Sequence, residues 1–196
     1  MKKIIYATIC LLVFQTNYSQ NKGVEKSLFN FQTGILGTWI NNETKLTNTL
    51  VLRSEIGLDA GIFGGEINDN SGLFLTPVIN LEPRFYYNIN KRESKNKNTS
   101  NNGANFFTTS ISYHPDWFVI SSKNNINVYN QLSIIPKWGI RRNIANSNFN
   151  FEAGIGLGYR FYFLKQYGYS KNDGETALDL HLRIGYTFKN SKKIEK

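Results

Sequence analysis

The chain of 196 residues has a single cysteine, Cys10, and only four prolines. After the first twenty residues it also lacks any run of 18 apolar residues. One cysteine excludes a disulfide framework and a cysteine zinc site. The missing apolar run excludes a bundle of membrane-spanning helices. Disorder is excluded as well, because aromatic residues make up 14% of the chain, far more than a disordered chain carries.

The first 20 residues have the layout of a secretory signal peptide. Lys2 and Lys3 precede an apolar stretch over residues 4–14, and small and polar residues follow up to Gln20. This order of charge, apolar core and polar exit favours a signal peptide over a buried helix. We therefore predict three segments: a signal peptide at 1–20, a folded domain at 21–188, and a basic tail at 189–196. Removal of Lys2 and Lys3 changes the formal net charge from +9 to +7.

The remaining chain is dominated by a period of two, which predicts β-strands. Apolar and polar residues alternate over long stretches around residues 46–62, 73–89, 107–119, 126–141, 149–163 and 177–188, and over a shorter stretch from Phe29 to Trp39. Polar connections are predicted at 41–44, 63–72, 91–104, 122–125, 142–148 and 165–175. Of these, 91–104 is the most hydrophilic and is expected to be mobile.

Seven runs are clear, and an eighth strand is expected if they close into a single-chain bacterial membrane barrel, the fold argued for below, because such barrels have even strand numbers. The eighth strand would come from a break of the run 105–121 at His114-Pro115-Asp116, or from residues 22–33. Proline interrupts a strand ladder, so bulges or strand ends are expected at Pro77, Pro83 and Pro136.

One face of these strands carries six cations and five anions, while the other is almost wholly apolar. A solvent-exposed face needs no such balance, whereas charges in a narrow interior must be paired. We therefore predict an all-β fold: a closed, antiparallel, up-and-down transmembrane β-barrel of about eight strands, with a lumen filled by side chains. A soluble barrel with a solvated polar face is the competing reading. The predicted lumen charge network consists of Arg53, Glu55, Asp59, Glu82, Arg84, Lys137, Arg141, Glu152, Arg160, Asp179, His181 and Arg183.

The last run, LHLRIGYTF at 180–188, resembles the terminal strand of outer-membrane barrels, and Tyr186 and Phe188 match its assembly signal. Most of the mature chain resembles the small outer-membrane β-barrel proteins of Bacteroidota, a largely uncharacterised, porin-like family. The resembling segments are 33–62, 77–92, 112–121, 134–144 and 151–161. The resemblance implies a location in the bacterial outer membrane and contact with the barrel assembly machinery during biogenesis. It implies no activity and no catalytic residue.

Catalytic and metal-binding arrangements are weak in this sequence. A lipid-modifying enzyme would need a serine beside a histidine, and the candidates are His114 with Ser110 or Ser112, or His181 oriented by Asp179. Asp69, Asp173 and Glu175 are scattered loop acids, so no metal and no cofactor is predicted.

The cations are interleaved with acids, so no nucleic-acid partner is predicted. The expected partners are outer-membrane lipid and lipopolysaccharide, and the protein is expected to be a monomer. Trp39, Trp117 and Trp138 are predicted in interfacial aromatic girdles. The leading function is a non-enzymatic structural or surface-interaction role. The alternatives are a narrow passage for ions or small solutes and a lipid-modifying enzyme.

Overall fold

Nine strands and one short helix make up a computed structural model that describes residues 23–63, 72–121, 126 and 128–188. The predicted signal peptide at 1–20 and the tail at 189–196 lie outside the described residues. The strands are β1 (Ser27–Gly34), β2 (Gly37–Lys45), β3 (Leu50–Phe63), β4 (Gly72–Phe85), β5 (Asn105–His114), β6 (Ile120–Ser121), β7 (Gln131–Asn143), β8 (Phe149–Tyr162) and β9 (Asp173–Phe188). Helix α1 spans Ile89–Glu93, and 3₁₀ turns span Ser100–Asn102 and Leu164–Tyr167. Over the described ranges, no helix has the length and apolarity needed to cross a membrane.

The strands form a closed antiparallel ring in the order β1, β2, β3, β4, β5, β7, β8, β9 and back to β1. The prediction of an all-β fold with about eight antiparallel strands is confirmed. The two-residue strand β6 pairs with Phe74 and Leu75 of β4, on the same edge of β4 that pairs with β5 but nearer its beginning. The break after His114 therefore adds no wall strand. The eighth strand arises because the run from Phe29 to Trp39 turns at Ile35-Leu36 and becomes a hairpin of β1 and β2.

The strands are strongly staggered around the ring. A path that starts at Leu50 on β3 and moves to the register partner on each next strand passes Phe85, Phe107, Trp138, Ile155 and Leu180. If the same register offsets are continued through β1 and β2, the path returns to β3 at Ile62, 12 residues from its start. This stagger of about 12 residues corresponds in an eight-stranded ring to a strand tilt of about 45°.

The hairpin turn also reverses the predicted orientation of Trp39. The sequence places Trp39 on the same face as Phe29 and Phe31, in an outer aromatic girdle. In the structure Trp39 points inward and is buried, whereas Phe29 and Phe31 are exposed. Because the chain turns at Ile35-Leu36, odd-numbered residues point outward in β1 but inward in β2. Every side chain of β2 therefore lies on the face opposite to the one that an uninterrupted strand would give it. The predicted connection at 41–44 is wrong for the same reason, since these residues form the second half of β2.

The predicted bulges at the prolines are also wrong. The β4–β5 register is the same on both sides of Pro83, and the β7–β8 register is the same on both sides of Pro136. In each of these two ladders, the proline and one adjacent residue lack a register partner, and the pairing resumes beyond them. Pro77 lies where β4 has passed the end of β5 and has not yet met β6. Each proline lacks only the one N–H that would face that neighbour, so the strand continues without an inserted residue.

The two ends of the ring differ. At the terminal end, where the described chain enters at residue 23 and leaves at Phe188, the β4–β5 connection folds into a cap. Its Tyr86, Ile89 and Ala104 form a buried apolar cluster with Val24, Val51 and Phe106. Of the predicted connection at 91–104, Asn101 and Asn102 are buried in this cap, whereas most of residues 91–100 are exposed. Both have positive φ, a conformation that asparagine tolerates.

Candidate functional site

The interior of the ring is an ion-pair network centred on two glutamates from non-adjacent strands, Glu43 on β2 and Glu152 on β8. The Arg141 guanidinium bridges them, with Nη2 2.7 Å from Glu43 Oε1 and 2.6 Å from Glu152 Oε2. Arg84 Nη1 lies 2.9 Å from Glu152 Oε1, and Arg53 contacts both glutamates. The side chains of all five residues are 0% exposed.

A second group of ion pairs extends this network toward the far end of the ring, opposite the cap. Arg183 Nη1 lies 2.8 Å from Glu55 Oε2, and Glu55 also pairs with Arg53. Lys137 Nζ lies 2.9 Å from Glu82 Oε1 and 3.1 Å from Asp179 Oδ2, so it links the two carboxylates. These ion pairs bring five cations together with five anions, so the network is electrically balanced. Such balance is required where charges are removed from water.

Neutral polar side chains fill the space between the ions. Gln32 accepts from Arg53 at 2.6 Å and donates to Glu152 at 3.3 Å. Toward the cap, Tyr86 Oη donates to Glu43 at 3.0 Å and Asn102 Nδ2 donates to Glu43 at 2.8 Å. The cap is therefore held by hydrogen bonds to the charged interior as well as by its apolar cluster. Burial raises the pKa of the Tyr86 phenol above its ordinary value of 10.0.

The structure brings ten of the twelve predicted lumen residues into this network: Arg53, Glu55, Glu82, Arg84, Lys137, Arg141, Glu152, Asp179, His181 and Arg183. His181 lies between two acids, 3.5 Å from Glu152 and 3.6 Å from Asp179. Asp59 and Arg160 are not in the network. They lie at the far end, where Asp59 contacts His114 and Arg160 contacts Glu175.

Sequence reasoning missed Glu43, one of the two central anions. The sequence predicts a connection at 41–44, which leaves Glu43 out of the predicted interior charges. The signal was nevertheless present, because Trp39, Asn41 and Glu43 alternate with Thr38, Ile40 and Asn42, as they do in β2.

A cavity of about 180 Å³ occupies the far end of the lumen, above the ion network. Asp59 on its wall accepts a hydrogen bond from Trp39 Nε1 at 2.7 Å and lies 2.8 Å from His114 Nε2. The Arg183 guanidinium stacks 3.7 Å from the Trp39 ring centroid. Arg160 enters from β8, with its Nη1 3.3 Å from Glu175.

The cavity does not assemble the serine–histidine pair of a hydrolase. Ser110 and Ser112 donate to Asn80 Oδ1 at 2.9 Å and 3.1 Å, and His114 instead contacts Asp59. Within the described ranges, no group of three His, Cys, Asp or Glu side chains is placed to hold a metal ion. Asp69, one of the scattered acids, lies outside those ranges.

The two predicted assembly-signal residues lie at the terminal end of β9. Phe188 packs against Phe29 with ring centroids 5.6 Å apart, and Tyr186 packs against Phe149 at 5.1 Å. The terminal strand is thus joined to both of its neighbours, β1 and β8, through aromatic pairs at the end of the ring.

No protein-family model, curated protein or solved structure matches the chain.

Proposed function

We propose that the protein is an integral outer-membrane β-barrel with a structural or surface-interaction role and a lumen filled by paired charges. The observation that carries this proposal is the reversed distribution of polarity across the wall. Arg53, Arg84 and Arg141 are 0% exposed inside the ring, whereas Leu157 and Leu182 are 62% and 64% exposed outside it. A soluble barrel has the opposite arrangement, and a membrane barrel has this one.

The outer surface is also layered in the way a bilayer requires. Aliphatic side chains occupy the middle of the wall: Ile40, Ile56, Ile79, Leu81, Ile111, Ile134, Ile155, Leu157, Leu178, Leu180, Leu182 and Ile184. Exposed aromatic side chains lie toward the terminal end: Phe29, Phe31, Phe85, Tyr87, Phe107, Trp138, Phe149, Phe151 and Phe188. Others lie toward the far end: Trp117, Phe118, Tyr159, Phe161 and Tyr169. Two aromatic girdles around an aliphatic belt are typical of outer-membrane barrels.

The height of the wall fits the same environment. Strands β3, β4 and β8 have 14 residues each. At about 3.3 Å per residue and a tilt of about 45°, each rises by about 32 Å along the ring axis. The apolar band of an outer-membrane barrel is about 25 Å tall, so these strands span it and extend slightly beyond.

The filled lumen favours a structural or surface role over a passage for solutes. The interior arginines are fully buried in ion pairs, and the cap covers the terminal end. Eight strands leave an interior that side chains can fill. We therefore expect no stepwise ion conductance in a planar bilayer. The surfaces left for interaction are the far-end loops and the outer wall, where lipid and lipopolysaccharide are the expected neighbours.

Heat-modifiability tests this proposal. The protein is refolded in detergent, and its mobility on a gel is compared with and without boiling, with circular dichroism in parallel. A closed membrane barrel gives a β-rich spectrum and a mobility shift on boiling. A monodisperse protein that stays soluble without detergent would contradict the proposal, because the exposed aliphatic belt would then have to be covered in water.

A further inference from the structure

Strand β9 is paired along only one of its edges over much of its length. On the β8 side, every residue from Asp173 to Tyr186 has a register partner. On the β1 side, the pairing ends at Gly34 opposite Arg183, because the chain turns at Ile35-Leu36. Residues 173–182 of β9 therefore have no strand partner on this side among the described residues. We call this stretch the open edge.

The gap beside the open edge is two strands wide. Among the described strands, β1 and β2 alone separate β9 from β3 in the ring, and both end at the hairpin turn. On the other side of the gap, β3 continues to Phe63 beyond its last pair, Asp59 with Gly37. One further bond joins Ala60 N–H to the Leu36 carbonyl at the turn.

The open edge lies at the level of the aliphatic belt. Leu178, Leu180 and Leu182 point outward from it and are 60%, 52% and 64% exposed. These leucines and the inward side chains Asp179 and His181 line the same far-end cavity, so the cavity passes the open edge. Backbone groups at a sheet edge are not tolerated against lipid, which cannot hydrogen-bond to them. The edge therefore needs water from the cavity, or a partner that supplies backbone groups.

An extended peptide is the partner that satisfies this edge. An added antiparallel strand offers a carbonyl to each free N–H and an N–H to each free carbonyl. Its outward side chains would lie beside the leucines in the belt and must be apolar. Its inward side chains would enter a cavity of about 180 Å³, which holds about six water molecules, so they must be small. An acidic inward side chain is excluded, because Asp59 and Asp179 are 32% and 24% exposed there.

Lipid and a second copy of the chain fit the open edge less well. Lipid tails carry no hydrogen-bonding group. Two copies in one bilayer that form a symmetric dimer are related by a half-turn about the membrane normal. Strands tilted by about 45° would then cross at about 90°, so the two open edges could not pair with each other.

We propose that the open edge of β9 is a docking site for an extended segment of a partner protein, which adds to the ring as a strand. The segment carries apolar side chains at alternate positions and glycine or other small residues between them. Strand β8 contains such a segment, AGIGLG at 153–158, which pairs with residues 177–182 of β9 on the other edge. This inference rests on the proposed membrane location.

Disulfide capture tests the site on the full chain, refolded in neutral detergent micelles with Cys10→Ser. The probe is the peptide Ala-Gly-Ile-Gly-Leu-Gly-Cys with blocked ends, which repeats residues 153–158 and adds a cysteine. In the β8-like register this cysteine lies opposite residue 176, so Thr176→Cys is the capturing variant. Ile184→Cys is the matched control, because it also points outward on β9 but lies where β1 already occupies the edge.

Each capture rate is divided by the rate at which the same cysteine reacts with cystamine, a small disulfide. We expect this ratio to be at least about tenfold higher for Thr176→Cys than for Ile184→Cys, because docking raises the local concentration of the probe.

Two N-methylated isomers of the probe separate strand pairing from partition into the micelle. One is methylated on its glycines, and the other on its alanine, isoleucine and leucine. The N–H groups of alternate residues in a strand point to the same edge, so only one isomer keeps the N–H groups that face β9. The gap has room for the methyl groups of that isomer. We expect it to be captured at the rate of the parent probe and the other at least about tenfold more slowly.

Equal ratios at the two cysteines, or equal capture of the two isomers, would overturn the proposal, because both results would show partition alone. A disulfide-linked dimer of Thr176→Cys formed without the probe would place a second copy at the edge and would also overturn it. The assay uses protein that has passed the heat-modifiability test. Absence of the mobility shift therefore contradicts the membrane location, whereas a normal shift without selective capture contradicts this inference alone.

Discussion

Glu43→Gln is the sharpest test of the charged interior, because it removes one negative charge and almost no volume. Glu43 is fully buried and lies 2.7 Å from Arg141, 3.5 Å from Arg84 and 3.7 Å from Arg53. The substitution leaves five interior cations facing four anions. Removing one partner of a buried pair costs about 3–5 kcal/mol of stability, because the remaining charge stays buried without compensation.

The assay is equilibrium urea unfolding in detergent, followed by tryptophan fluorescence and by the heat-modified gel band. The control is Glu175→Gln, which removes the same charge from a carboxylate that is 54% exposed and paired with Arg160. That change is expected to cost less than about 1 kcal/mol. The double variant Glu43→Gln/Arg141→Gln should lose less stability than the sum of its single changes, because it restores the charge balance. If Glu43→Gln costs no more than Glu175→Gln, the network does not contribute to stability as argued.

Three further outcomes follow from other contacts and are measured by urea unfolding, the first two in detergent and the third in lipid vesicles. Tyr86→Phe should cost about 1–2 kcal/mol at neutral pH by removing the hydrogen bond to Glu43. Because burial raises the pKa of Tyr86 above its unfolded value of 10.0, the tyrosine's contribution is complete below pH 10 and declines above it, so the gap between wild type and Tyr86→Phe should narrow there. Gly158→Ala should destabilise the ring by about 1–3 kcal/mol, since a Cβ would lie 2.2 Å from a backbone oxygen of β7; an unchanged midpoint would argue against this. Ile155→Arg, in the middle of the outer belt, should cost about 2–4 kcal/mol in lipid vesicles, while Asn146→Arg in an exposed turn should be near neutral; equal effects would argue against a lipid-facing belt.

The sequence predicted strands well wherever alternation was long and uninterrupted. In β8, and in β9 from residue 177 to 188, the apolar and polar sets keep one phase, and the structure places them outside and inside the ring. Errors arose where two turn residues shifted the phase. The sequence pattern does not reveal the short turn at Ile35-Leu36. The predicted orientation of Trp39 is therefore the reverse of the observed one, and Glu43 is missing from the predicted interior.

The cap was also beyond the reach of pattern reasoning. Residues 91–104 read as a hydrophilic loop because asparagine and lysine dominate them. Asn102 is buried with its side chain paired to Glu43 and to the backbone N–H of Glu25. Such pairings join residues 59 and 77 positions apart, so no local window of sequence contains the signal for them.

By itself, the sequence determined that the chain forms long antiparallel strands with one charged and one apolar face, because a period of two is a local property of the backbone. Tertiary structure alone decided which charges meet, that Asp59 and Arg160 lie apart from the network, and that β9 and β3 continue beyond the β1–β2 hairpin. Those features depend on register and stagger around a closed ring, which are set by how distant strands pair rather than by the composition of any one of them.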